Sequence, residues 1–104
     1  MKAVIDGKKY DTDTAEEVAS WDNERSKNDF AWCAETLYRT KKGSWFLEGE
    51  GGPMTKYARS CGDNTRCGGS AITPLTAQKA LKWCEMYNMT ETIEKYFAEM
   101  VEEA

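Results

Sequence analysis

The chain has 104 residues, a formal net charge of −4, four cysteines and no histidine. That length suits a single domain, 1–104, with a core but little surplus of it. The missing histidine excludes Ser–His–Asp and Cys–His catalysis, and no run approaches the roughly 18 apolar residues of a membrane helix, so no membrane partner is expected.

At the N-terminus, MKAVIDGKKY has no apolar stretch of signal-peptide length, and a cytoplasmic location is the expectation. Ala3-Val4-Ile5 and Lys8-Lys9-Tyr10 flank Asp6-Gly7, which suits a tight hairpin because both central residues of a type I′ turn need positive φ. Thr14-Ala15-Glu16-Glu17 has the form of a capping box and predicts a short helix to about Trp21, with Ala15, Val18 and Ala19 inward.

The apolar-free run at 23–29 reads as a loop. From Phe30 to Arg39 the chain alternates: Phe30, Trp32, Ala34, Thr36 and Tyr38 share one face, and Cys33, Glu35, Leu37 and Arg39 the other. Lys41-Lys42-Gly43 turns this strand into a partner running from Ser44 to Glu48, with Gly43 at a left-handed position. Glu50-Gly51-Gly52-Pro53-Met54 reads as loop by composition, and Thr55 to Ser60 as a turn of helix.

Ser70 to Thr73 predicts a short strand stopped near Pro74. Thr76 can cap a helix to about Tyr87, with Ala77, Ala80, Leu81 and Cys84 inward, and Asn88 can end it. Thr90 can cap a last helix on which Ile93, Tyr96, Phe97, Met100 and Val101 follow helical spacing. The expected class is α+β: a small antiparallel sheet of two β-hairpins plus a short strand, a short N-terminal helix and two C-terminal helices.

The cysteines are Cys33, Cys61, Cys67 and Cys84, a spacing unlike the paired C-x2-C of common zinc modules. Geometry still lets them meet. A strand after Cys67 advances roughly 13 Å, and a helix packed back along it would return Cys84 to the same level. Cys33 lies at the open end of the long hairpin, beside the loop that delivers Cys61. The leading expectation is therefore a structural Zn²⁺ that staples the fold through Cys33, Cys61, Cys67 and Cys84, with Asp63 as a substitute for Cys33. Two alternatives stay open: buried free thiols at Cys33 and Cys84, and a Cys61–Cys67 disulfide, which a reducing compartment disfavours. Four protein ligands would close such a site to water, and GEGGPM lacks the Gly-Lys-Ser/Thr ending of a phosphate loop. No enzyme and no small-molecule substrate are expected.

Charge is distributed in blocks: residues 1–37 net −4, 38–84 net +5, and 85–104 net −5. The basic block sets Arg39, Lys41, Lys42, Lys56, Arg59 and Arg66 among Tyr38, Trp45, Phe46 and Tyr57, a pattern that can serve a nucleic acid. The acidic C-terminal helix opposes a phosphate backbone, so direct nucleic-acid binding is the second reading.

ASWDN (19–23), ETLYRTKKGSWFLEGEGGPMTKYARSCG (35–62), CGG (67–69) and ITPLT (72–76) together resemble small proteins carried on phages and other mobile elements of Gram-positive bacteria. Within that group the chain is similar to zinc-binding type II-A anti-CRISPR proteins. The resemblance implies a non-catalytic inhibitor that binds a type II CRISPR effector nuclease directly and blocks loading of target DNA. It assigns no contact residue. Charge points to Glu91, Glu94, Glu99, Glu102 and Glu103, whose carboxylates can complement a basic DNA-binding surface.

Overall fold

Asp6 and Gly7 adopt φ of 51° and 76° and reverse the chain between β1 (Lys2–Ile5) and β2 (Lys8–Asp11), the hairpin read from the sequence. The computed structural model describes residues 1–104.

The expected N-terminal helix is instead strand β3 (Glu16–Asp22). Thr14 does not cap: its hydroxyl donates to the Asp11 carbonyl oxygen at 3.5 Å, and the backbone N–H groups of Thr14 and Ala15 turn back to the same oxygen. The pairing of β3 with its neighbour shifts register between Glu17 and Ala19. At such a bulge an extra residue interrupts the two-residue alternation. Val18, Ala19 and Trp21 therefore all pack toward the core, with a spacing that imitates a helix.

Asn23 ties the following loop: its side-chain nitrogen donates to the Ala31 carbonyl at 2.8 Å, and its side-chain oxygen accepts from the Cys33 N–H at 3.2 Å. Asp29 accepts from the Ala31 N–H at 2.8 Å, so Phe30 to Trp32 stay in a turn and β4 spans Cys33–Arg39. Gly43, at φ 90°, carries the chain into β5 (Trp45–Gly51). This hairpin pairs without a break from Arg39↔Trp45 to Cys33↔Gly51.

The loop after β5 makes no helix. Thr55 donates its hydroxyl to the Gly52 carbonyl at 2.8 Å and accepts from the Tyr57 N–H at 3.2 Å, forming successive turns. A small hairpin follows, β6 (Arg59–Gly62) and β7 (Thr65–Cys67), with Asn64 at φ 56° in its turn. Strand β8 (Gly69–Leu75) runs past Pro74, which fits because β8 is the outer strand of the sheet β3-β4-β5-β8 and one of its sides needs no ladder donor.

Thr76 caps α1 (Ala77–Met86) as expected, accepting from the Lys79 N–H at 3.2 Å, and Asn88 ends that helix at φ 54°. The next helix, α2 (Thr90–Tyr96), begins after Met89 without a side-chain cap, and a 3₁₀ turn at Ala98–Met100 follows. Neither helix is long and apolar enough to cross a membrane.

The sheet is covered on both faces. Leu37, Trp45 and Leu47 meet Ala80, Trp83, Cys84 and Phe97 on the helix side, where Trp45 and Phe97 stack at 4.8 Å. On the opposite face Phe46 is fully buried between Tyr38 and Tyr10, with ring centroids 5.2 and 5.4 Å away. The β1–β2 hairpin thus lies on the face that the helices leave open.

Candidate functional site

Glu35 occupies the helix-side face of β4 and is only 1% exposed. A bare carboxylate there would be costly, so its oxygens must be paired. They are: Oε1 accepts from Trp83 Nε1 at 3.0 Å and from the Tyr87 hydroxyl at 3.4 Å. Oε2 accepts from the Tyr57 hydroxyl and meets Lys56 Nζ at 2.8 Å. Burial pushes the Glu35 pKa up, but hydrogen bonds from Lys56, Tyr57 and Trp83 outweigh it, and the carboxyl lies below its ordinary value. Burial and the Glu35 charge push Tyr57 strongly upward and raise Tyr87 to about 12, so both phenols remain donors.

The glycines make this arrangement possible. Gly49 sits opposite Glu35 in the ladder, and a Cβ there would lie 2.0 Å from the Tyr57 ring. A Cβ on Gly69 would lie 2.5 Å from the Tyr57 carbonyl oxygen. Gly49 to Gly51 are therefore strand with its surface left bare, while Gly52, Pro53 and Met54 are loop as expected and begin the segment that folds back to deliver Lys56 and Tyr57. The sequence placed Glu35 on the correct strand face but did not single it out. The available signal was a lone acid between the apolar Cys33 and Leu37 on one strand face.

The four cysteines do not converge. Cys61 and Cys67 form a disulfide across β6–β7, with Cα atoms 5.9 Å apart. Cys33 and Cys84 are buried free thiols. Burial raises the Cys84 pKa to about 11, and burial together with Glu35 raises that of Cys33, so both keep their protons at neutral pH. No group of three or more Cys, His, Asp or Glu side chains is gathered to hold a metal ion, Asp63 included. The residues as placed do not fit the expected tetrathiolate zinc. The staple is the disulfide, and it closes a local hairpin instead of joining distant elements.

The C-terminal carboxylates separate into groups. Glu94, Glu102 and Glu103 surround a cleft of about 190 Å³ with Ile93 and Val101. Glu91 lines a different cleft along β3, beside Val18 and Met89. Glu99 is exposed in the 3₁₀ turn.

The basic block is also redistributed. Lys56 is taken up by Glu35, and the Arg39 guanidinium lies over the Trp45 ring at 5.5 Å. The expected stacking rings are occupied: Phe46 is 0% and Trp45 7% exposed, Tyr38 is half-buried and stacked on Phe46, and Tyr57 is bound to Glu35.

No protein-family model, curated protein or solved structure matches this chain.

Proposed function

We propose that this chain acts by docking as a non-catalytic anti-CRISPR protein, inhibiting a type II-A RNA-guided DNA nuclease by covering the surface where target DNA loads. The reading comes from the sequence resemblance. The observation that supports it best is the cleft ringed by Glu94, Glu102 and Glu103, beside Val101, which is 50% exposed. Carboxylates around an apolar contact suit a basic protein surface: the charges steer and orient, and the apolar centre adds burial. The strongest polar cluster, around Glu35, is turned inward and engaged with four internal partners, which leaves the exterior to do the work.

The test is the triple variant Glu94→Lys/Glu102→Lys/Glu103→Lys, assayed for inhibition of target-DNA binding by the guide-loaded nuclease. Inhibitory potency should fall at least about tenfold, as the loss of complementary rim charge predicts. A folded variant with unchanged potency overturns the proposed surface.

A further inference from the structure

The two hairpin turns that the sequence treats separately come together in space. The β1–β2 hairpin contributes Lys8 and Lys9, and the β4–β5 turn contributes Lys41 and Lys42, to one cleft of about 600 Å³. Lys9 has a long 3.9 Å contact to Asp11, while Lys8, Lys41 and Lys42 make no ion pair. All four lysines are exposed. Four cations held around one concavity reinforce each other's field and attract a polyanion.

We propose that this cleft binds the phosphodiester backbone of a nucleic acid, without reading its bases. The lining favours that occupant. Its only aromatic residue, Tyr10, is 6% exposed and packed on Phe46, so no ring is offered for a base. Thr40 and Ser44 add polar groups beside the lysines, as phosphate contacts do. An anionic bilayer is a poorer match, because the lysines ring a concavity and the lining supplies no exposed apolar side chain to insert. The sequence set the acidic C-terminus against any phosphate contact. In the fold, α2 leads to Phe97 stacked on Trp45, on the face opposite Phe46 and the β1–β2 hairpin, which directs that repulsion away. This inference is independent of the anti-CRISPR reading, whose test changes other residues and another assay.

The experiment is fluorescence anisotropy of a labelled random-sequence DNA duplex with the full chain, titrated across salt. With four phosphate contacts, affinity should fall about 100-fold between about 50 and about 200 mM salt. Lys8→Gln/Lys9→Gln and Lys41→Gln/Lys42→Gln should each flatten the log–log salt slope by about 2. Lys79→Gln/Lys82→Gln, an equal charge change on α1, should leave both slope and affinity near wild type. Circular dichroism confirms that each variant is folded. The proposal is overturned if wild-type protein does not bind at about 50 mM salt, if the α1 variant weakens binding as much as the cleft variants, or if phosphatidylserine vesicles bind while the duplex does not.

Discussion

The helix side of the sheet is closed in two different ways. At one end Leu37, Trp45 and Leu47 meet Ala80 and Phe97, and the contact is apolar. At the other end the strand surface is bare at Gly49 and Gly51, and cover comes from a loop that brings Lys56 and Tyr57 onto Glu35. The first solution is tolerant, since apolar groups of similar volume repack. The second depends on the donors of Trp83, Tyr57 and Tyr87 and their shared acceptor staying paired, because a buried polar group left unpaired costs more than its hydrogen bond contributes.

The sharpest test removes the polar hub. Glu35→Ala strips Trp83, Tyr57, Tyr87 and Lys56 of their shared acceptor, and the unpaired donors should lower unfolding free energy by about 4 kcal/mol in urea titration. Leu37→Ala probes the apolar end, where the side chain is fully buried. Its cost should be about 3 kcal/mol, the usual range for a core cavity. If the apolar change proves far more damaging, the polar end is not the brittle one.

Acid should distinguish the two ends further. The Glu35 pKa is lowered on folding, so its contribution is present above the unfolded carboxylate value and is lost as pH falls through the folded one. Lys56→Met removes a hydrogen bond and a charge that hold that pKa down, and should move the onset of acid unfolding to higher pH. Because the Lys56 side chain is 64% exposed, its neutral-pH cost should be small, about 1 kcal/mol. An acid transition followed by tryptophan fluorescence that is identical in wild type and Lys56→Met would show that Glu35 does not govern it.

Local turn chemistry made much of the fold legible. Asp6-Gly7, Gly43, the Thr76 cap and Asn88 each carry a backbone requirement within a few residues, and each is met. The α+β class and the long hairpin followed from them. Features set by distant contacts were not legible. The glycines at 49 and 51 read as loop because their purpose is the Tyr57 ring and the Thr55 side chain folding over them. The helix expected near Val18 failed because a bulge is a property of the pairing, invisible in one strand. The candidate site fared worse. Thiol convergence was argued from lengths alone; the structure has instead the two alternatives left open, a Cys61–Cys67 disulfide and buried free thiols at Cys33 and Cys84. The lysine cleft needs two hairpins folded on one another, and block charges average that proximity out.

The outer strands carry a further consequence. One margin of the sheet is irregular at Glu17/Ala19 and flanked by Glu16 and Asp22, and the other is interrupted by Pro74. A second copy seeking to template on either margin meets a mismatched register or a missing donor. Fibrillar self-association is thereby disfavoured at both borders of the four-stranded sheet.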